Sequence, residues 1–362
     1  MPKTTSELET PLREQLDRLA AFDATADPII SLYLDMRVDG TGRTNVDAFL
    51  RKAMTEQADA LSGDARASFD RDNERIQAYL VNDVRKSANG LAIFACQARE
   101  GFFEALQLDV PVEQHQLFVG QVPQLYPLAR LNDQFPRYAA LLVNTNSARL
   151  FVFGLGDTET QQHVVNTKTR RSTMGGWSQA RYQRHIENFH LHHMKEVADI
   201  LDKVVREESL TRIVVSCDDV SRPLLMDQLP KHLTEKVVDV VSLDMKAPDQ
   251  QVLAETLDAL RQKDAETDAE QVEAAIGAWR ASGLGAVGPT GTRAALEMGQ
   301  VEELLITAAP TLLRASSPEA SETLANELVT LGQQTSARIR FIEDPALLAD
   351  VGGVAALLRF RL

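Results

Sequence analysis

The chain has 362 residues, of which 44% are hydrophobic and 25% charged, and its formal net charge is −14. This length favours two or three domains over one core, and the composition is that of an ordinary folded protein rather than a disordered one. The longest apolar runs are far shorter than the roughly 20 residues that cross a bilayer, and the N-terminal residues contain no apolar segment typical of a secretory signal, so we expect a cytoplasmic protein without a membrane partner.

The first segment, residues 1–132, has an α/β pattern with few strands. Its predicted elements are helices at residues 12–22 and 46–84 and strands at residues 29–34, 91–96 and 104–108. The segment ends in a connector punctuated by prolines, at residues 123–127.

The second segment, residues 133–275, begins with two apolar runs around the turn-forming sequence Asn144-Thr145-Asn146-Ser147, which predicts a β-hairpin. The further predicted elements are strands at residues 163–166, 212–216 and 237–243 and helices at residues 178–208, from 221 and within 244–273. Three consecutive strands followed by alternating helices and strands indicate a mixed sheet of RNase H-like order.

The third segment, residues 276–362, contains a Gly-rich break at residues 283–288, after which helices alternate with strands. The predicted helices cover residues 292–298 and 321–331, with a short helix near the end, and the predicted strands cover residues 303–307, 337–342 and 357–362. This pattern favours a small α/β sandwich.

Charge is distributed unevenly along the second segment. Residues 162–195 hold six Lys or Arg against one acid, Glu187, whereas residues 244–273 hold nine acids against three bases. A protein with a net charge of −14 is repelled by polyanions at long range, but the local basic stretch can bind RNA phosphates. The acidic stretch predicts a solvated helical face or an interdomain connector.

A Gly-rich loop, MGGWSQARYQR at residues 174–184, lies within the basic stretch, where a polar loop leads into the long helix. Gly175 and Gly176 allow unusual backbone angles and close approach to a large partner. The alternative is that the two glycines only turn the chain into the helix, with Ser178 as its N-cap.

Other polar groups do not assemble into a catalytic or metal-binding set by spacing alone. Cys96 and Cys217 are expected to be buried structural thiols, and the histidines at 185, 190, 192 and 193 to form a solvated or RNA-facing surface. Asp218 and Asp219 are expected in a loop or helix cap, and the GLGAVG sequence at residues 283–288 is not expected to bind a nucleotide, because no strong strand precedes it. We therefore predict no metal and no cofactor.

The segment GGWSQARYQRHIENFHLHHMKEVAD resembles the central-domain signature of the archaeal and eukaryotic class 1 release factors, in which a Gly-Gly-Gln loop leads into an Arg-rich helix. Further collinear segments resemble the same family: YAALLVNTNSARLFVFGLG, TRIVVSCDDVSRPLLMDQLP, GTRAALEMGQVEELLI and VGGVAALLRFRL. Trp177 stands where the family has Gln, and the nearest glutamine is Gln179. The Asn-Ile-Lys-Ser and Tyr-x-Cys-x-x-x-Phe patterns of stop-codon reading are absent from the sequence, so the chain looks most like the divergent bacterial branch.

This resemblance implies three domains: a divergent release-factor N-terminal-like domain at 1–132, an RNase H-like central domain at 133–275 and a C-terminal domain at 276–362 similar to kink-turn-binding ribosomal proteins. It also implies peptidyl-tRNA ester hydrolysis on the ribosome, in rescue or quality control and without stop-codon specificity. The residues implied in catalysis are Gly175, Gly176, Trp177, Ser178 and Gln179. Those implied in RNA binding are Lys168, Arg170, Arg171, Arg181 and Arg184.

The expected partners are large-subunit rRNA and peptidyl-tRNA, with a translational GTPase or splitting factor as a further candidate. An alternative stays open in which the chain occupies the ribosomal A site without hydrolysis, in splitting or hibernation. A metal-dependent nuclease is a more remote alternative, because clustered carboxylates are not evident.

Overall fold

A computed structural model of the protein describes residues 12–22, 27–38, 44–155, 157–165 and 179–361. The chain forms two compact units: unit 1 combines Met1–Gln134 with Thr267–Leu362, and unit 2 is Phe135–Glu266. Each of the three sheets lies within one of the three predicted domains, while the first and third sheets belong to the same unit. The three-domain boundaries therefore stay a prediction. Within the described ranges no helix is long and apolar enough to span a membrane.

The first sheet of unit 1 is fully antiparallel, with strand order β3-β2-β1-β4. Its elements are α1 (Leu12–Ala20), β1 (Ile29–Asp35), α2 (Val46–Ala60), α3 (Gly63–Asn82), β2 (Gly90–Cys96), β3 (Phe102–Leu108), β4 (Gln116–Gly120) and α4 (Tyr126–Gln134). Leu50 and Phe69, on α2 and α3, are buried in one cluster with Leu32 and Ile93 of the sheet.

The structure differs from the sequence prediction at three places in this region. The single helix expected at residues 46–84 is two helices, because Leu61 and Ser62 are extended and Gly63 has a positive φ of 58°. β4 was not predicted, since its exposure does not alternate. The connector at residues 123–127 leads directly into α4, where Pro127 occupies the first turn, a position at which a helix tolerates proline.

Unit 2 contains a five-stranded mixed sheet of order β7-β6-β5-β8-β9. Its elements are β5 (Tyr138–Val143), β6 (Ser147–Gly154), β7 (Asp157–Val165), α5 (Gln179–Glu207), β8 (Ile213–Cys217), α6 (Ser221–Gln228), α7 (Lys231–Thr234), β9 (Val237–Val241) and the start of α8 (Asp249–Arg280). β5 to β7 pair antiparallel, whereas β5, β8 and β9 pair parallel. The predicted hairpin and mixed sheet are confirmed, and the name RNase H-like stays a prediction.

The sheet of unit 2 is covered on both faces. Leu141 and Val215 face a core shared with Leu201 of α5. Tyr138 and Phe151 face a second core shared with Leu260 of α8. The alternation of side chains along β5 explains why its continuous apolar run is buried on both sides.

The last sheet belongs to unit 1 and has strand order β10-β13-β11-β12. Its elements are β10 (Gly285–Val287), α9 (Gly288–Glu297), β11 (Val301–Thr307), α10 (Pro318–Gln334), β12 (Arg338–Ile342) and β13 (Val354–Leu358), with 3₁₀ turns at Pro310–Leu312 and Pro345–Val351. β11 and β12 are parallel, and the other pairs are antiparallel. The last strand lies three residues earlier than predicted, directly after the turn made by Gly352 and Gly353, both of which have positive φ.

Hydrogen bonds of a buried side chain join the two chain segments of unit 1. The Oδ1 of Asn326, on α10, accepts the backbone N–H of Leu125 at 2.6 Å, and its Nδ2 donates to the carbonyl of Pro123 at 3.0 Å. The Tyr126 hydroxyl donates to the carbonyl of Thr307 at 2.6 Å. The proline-containing connector is therefore fixed on the last sheet rather than free to move as a linker.

Candidate nucleic-acid interface

Most of the predicted site lies outside the described residues. These are the basic residues Lys168, Arg170 and Arg171 and the loop residues Gly175, Gly176, Trp177 and Ser178. Gln179 is the first residue of α5, and Arg181 and Arg184 follow in the first two helical turns; the structure describes the helical backbone of these three residues. The loop therefore leads straight into a helix of 29 residues, as the sequence predicts.

The C-terminal half of α5 is anchored in the core of unit 2. Met194, Val197, Leu201, Val204 and Val205 are all buried in the cluster beneath the sheet. They recur at helical spacing on one face, so burial fixes the axis of the helix. A helix of this length spans about 43 Å. Because the C-terminal half of α5 is fixed in the core, the loop precedes the opposite end of an anchored helix.

His193 was expected on a solvated surface and is instead 1% exposed. It lies four residues before Val197 and eight before Leu201, and this spacing places it on the buried face. Burial lowers the pKa of His193, while hydrogen bonds with the backbone of Ser147 and Asn144 act in the opposite direction. His193 therefore ties α5 to the turn between β5 and β6.

That turn is also fixed from within. The Oδ1 of Asn144 accepts the backbone N–H groups of Asn146 and Ser147, both at 2.9 Å, and the hydroxyl of Ser147 at 3.1 Å. An Asn side chain that satisfies its own turn is typical of the sequence pattern from which the hairpin was predicted.

The carboxylates after β8 serve the backbone. The Oδ1 of Asp218 accepts the N–H of Ser221, the first residue of α6, at 2.7 Å. This bond agrees with the expectation of a loop or helix cap at Asp218. Among the described residues, no group of three or more His, Cys, Asp or Glu side chains is arranged to hold a metal ion.

Cys96 is buried and Cys217 is half-buried, so the expectation of buried thiols holds fully for Cys96 alone.

The GLGAVG sequence has a packing role. A Cβ atom on Gly285 would lie 2.4 Å from the carbonyl oxygen of Ala275 and 2.5 Å from the backbone nitrogen of Trp279, both on α8. Gly288, with a φ of 74°, begins α9. Glycine at 285 thus permits β10 to approach the helix closely. This packing accounts for the glycine, and nucleotide binding is not needed to explain it.

Sequence reasoning missed Arg149, a charged side chain on β6 that is 12% exposed. Its Nη1 donates to the carbonyls of Met245 and Ala247 at 2.9 and 2.7 Å, and its Nη2 to the Oδ1 of Asp249 at 2.6 Å. It therefore holds the segment that begins α8. A lone arginine inside the apolar run ARLFVF was the available signal.

Residues 123–261 match the model of a protein family described as bacterial archaeo-eukaryotic release factor family 10. This confirms the resemblance to the archaeal and eukaryotic release factors. The family model describes a bacterial group of such factors, and the segment that it matches contains the Gly-rich loop and all of α5. The chain matches no curated protein.

Solved structures also match the chain, at low sequence identity and with TM-scores below 0.5. An archaeal translation termination factor is 16% identical over 96% of this chain and 97% of its own, with a TM-score of 0.26. Dom34 of S. cerevisiae is 14% identical over 72% of this chain and 74% of its own, with a TM-score of 0.44. Archaeal Pelota, in a model of its ribosome-bound complex with ABCE1, is 15% identical over 99% of this chain and 96% of its own, with a TM-score of 0.42. The relationship accordingly rests on the family match.

Proposed function

We propose that this chain is a ribosome-associated factor that hydrolyses the ester bond of peptidyl-tRNA in rescue or quality control, independently of a stop codon. The observation that carries the proposal is the match of residues 123–261 to a release-factor family, since this segment includes the loop GGWSQ at the start of α5. Anchoring of α5 through its C-terminal half supports the presentation of that loop to a large partner.

The proposed chemistry uses backbone groups more than side chains. Gly175 and Gly176 let the backbone approach the ester, and the N–H groups of Trp177 and Ser178 stabilise the oxyanion as water attacks the carbonyl carbon. Gln179 orients that water. Because α5 begins at Gln179, the N–H groups of its first turn have no intrahelical acceptor and favour negative charge nearby. The carbonyl–oxygen bond to the tRNA ribose then breaks, and the ribose oxygen takes up a proton.

Binding to RNA is assigned to the cations around the loop. In this proposal Lys168, Arg170, Arg171, Arg181 and Arg184 contact phosphates of large-subunit rRNA or of the tRNA. The central domain at 133–275 is RNase H-like in this proposal, and the C-terminal domain at 276–362 is similar to kink-turn-binding ribosomal proteins. A translational GTPase or a splitting factor is the further candidate partner.

The alternative proposal is a non-hydrolytic A-site factor. Trp177 favours it, because this bulky side chain occupies the place of the family's Gln. An indole can stack on an RNA base and contribute affinity without chemistry.

Release of labelled peptide from peptidyl-tRNA, on purified ribosomes and on isolated large subunits, separates the two proposals. For a hydrolase we expect Gln179→Ala to slow release by up to about a hundredfold with little change in ribosome affinity, since the lost group acts in the transition state. Gly176→Val should slow release further, because a β-branched side chain restricts the backbone and blocks approach. Gln183→Ala, on the same helix, is the matched control.

Two outcomes decide against parts of this proposal. Tight ribosome binding by the wild-type protein without release under any condition would replace hydrolysis by the A-site factor. Release that requires a stop codon, when stop, sense and empty A sites are compared, would refute codon independence.

A further inference from the structure

A cavity of about 350 Å³ opens in unit 1 at the carboxyl ends of β11 and β12. Its lining comes from residues 307–311 at the end of β11, Glu343 and Pro345 after β12, Glu322 of α10, α4, and Val112, Glu113, Gln114 and Gln116. The carboxyl ends of neighbouring parallel strands are where open α/β sheets bind ligands. The volume lies at the lower end of the range for small-molecule sites, roughly 300–1,000 Å³.

Contacts at both ends of α4 fix this helix against the last sheet and so define the walls of the cavity. The Tyr126 hydroxyl is bonded to the carbonyl of Thr307, and the Tyr126 ring meets the Phe341 ring edge-on at 5.2 Å. At the other end, the Oδ2 of Asp133 accepts the backbone N–H of Phe341 at 3.0 Å. The cavity is therefore preformed, and a ligand would not have to open it.

Negative charge is in excess on the lining. Glu113, Glu322 and Glu343 contribute three carboxylates against one guanidinium, that of Arg130. Arg130 is already engaged, with Nη2 at 3.0 Å from Glu113 Oε1 and 3.4 Å from Glu343 Oε2. In the part of the chain that the structure describes, the side chain of Glu322 makes no hydrogen bond or ion pair. A carboxylate on a concave wall without a protein cation attracts a cation from solution.

The rest of the lining suits a short aliphatic stem with polar ends. Val112, Leu131 and Pro310 offer apolar surface, and the amides of Gln114 and Gln116 offer hydrogen bonds. Mixed walls of this kind, with few polar groups in fixed places, are typical of small-molecule sites.

We propose that this cavity binds a compact organic cation, an amine or guanidinium on a short aliphatic stem, with Glu322 as its carboxylate partner. The cation has two chemical sources: a free polyamine or the side chain of an arginine. The site belongs to unit 1 and is independent of the loop chemistry proposed above, so its test does not depend on peptide release.

The test is calorimetric titration of the full chain with spermidine, with agmatine and with arginine blocked at both its amino and carboxyl groups. We expect saturable binding of at least one cation, at one site, and a melting temperature that rises with its concentration. Glu322→Gln should weaken binding about tenfold, because it removes the charge of the partner but keeps its size. Ala309→Leu should abolish binding by filling the cavity. Preference for the polyamines identifies a free metabolite, and preference for blocked arginine identifies a protein side chain.

Glu302→Gln is the matched control, since Glu302 is exposed on β11 and does not line the cavity. Binding that Glu302→Gln and Glu322→Gln weaken equally would show attraction to the acidic surface in general and would overturn the proposal. Absence of binding by all three cations at millimolar concentration would overturn it as well. If Ala309→Leu fails to fold, the Glu322→Gln result decides alone, because that side chain is half-exposed.

Discussion

A single buried imidazole shows how chemistry at one residue depends on packing. Because burial lowers the pKa of His193, the folded protein keeps this ring neutral at a pH where the unfolded chain, with a His pKa of about 6.5, takes up a proton. The unfolded state then binds more protons. Stability should therefore be complete above about pH 6.5 and fall as pH drops from there towards the lowered pKa of the folded state.

We predict that His193→Gln flattens this pH dependence. The variant should lose about 1 kcal/mol at pH 7.5, where Gln replaces the ring's contacts imperfectly, and should differ less from the wild type at pH 5.5. Urea unfolding at both pH values measures the effect. His192→Gln, at an exposed neighbouring position, should leave the wild-type slope unchanged. Equal slopes for wild type and His193→Gln would show that His193 does not titrate on unfolding in this range.

At the scale of elements, α8 meets the last sheet through a glycine that leaves room for its backbone. Gly285→Ala should destabilise the protein by about 2 kcal/mol or more, because the new Cβ would overlap the backbone of Ala275 and Trp279. Gly277→Ala, within α8, is the matched change: apart from the adjacent backbone of the helix itself, no atom of the described residues lies within 4 Å of a Cβ placed there, and alanine is the better helix former by about 1 kcal/mol. Thermal unfolding of both variants should show shifts of opposite sign. A neutral Gly285→Ala would mean that β10 and α8 separate without cost.

A second element-scale prediction concerns the ion cluster that joins α8 to β11 and β12. The Nη1 of Arg340 lies 3.5 Å from Asp268 Oδ1, and its Nε lies 3.9 Å from Glu303 Oε1; all three side chains are at most 17% exposed. Arg340→Met should cost about 3 kcal/mol, because it removes the buried cation that two buried carboxylates share.

Arg338 supplies the control for that measurement. Its Nη1 is also 3.9 Å from Glu303 Oε1, but its side chain is 78% exposed. Arg338→Met should therefore cost less than about 1 kcal/mol in the same denaturant titration. Equal losses for the two variants would show that burial of the cluster is not what makes Arg340 matter. The acidic stretch was thus only partly a solvated face, since Asp268 lies on its buried side.

At the scale of the whole molecule, we expect the distribution of charge to matter more for RNA binding than the net charge. The net charge of −14 opposes RNA at long range, whereas residues 162–195 carry five positive charges in excess. We predict that replacing Arg170, Arg171, Arg181 and Arg184 by Glu abolishes cosedimentation with ribosomes. Wild-type cosedimentation should weaken steeply with salt, because phosphate binding releases counterions.

The control makes the same change in charge elsewhere. Four cations at exposed positions outside the basic stretch are replaced by Glu: Arg51, Lys52, Arg222 and Lys246. This variant should keep most of the binding if the contacts are local. Loss of binding in both variants would assign the effect to net charge, and unchanged binding in the first would refute the role given to the four arginines.

Much of the fold could be predicted from the sequence, because it follows from local chemistry. The apolar runs around Asn144 define the hairpin, helical spacing from Met194 to Val205 defines α5, and the collinear Gly-rich loop led to the family. Each of these depends on residues near one another in the chain, where turn preference and periodicity act directly. The two glycines of the loop were noticeable in the local sequence, whereas the catalytic roles proposed for the loop residues rest on resemblance alone.

Only the tertiary structure decided how distant segments combine. Asn326 holds Pro123 and Leu125 across about two hundred residues of chain, and Arg340 meets Asp268 on another element. These contacts join the first and last sheets in one unit and leave the cavity beside α4. The periodicity of the sequence cannot predict these contacts. A polar side chain occupies the same position in its helix or strand whether its hydrogen-bond partner is water or a distant backbone group. Burial of His193 depends on both local sequence and tertiary structure. Its position in the helix could be predicted from the sequence, but folding brings the turn between β5 and β6 into contact with it.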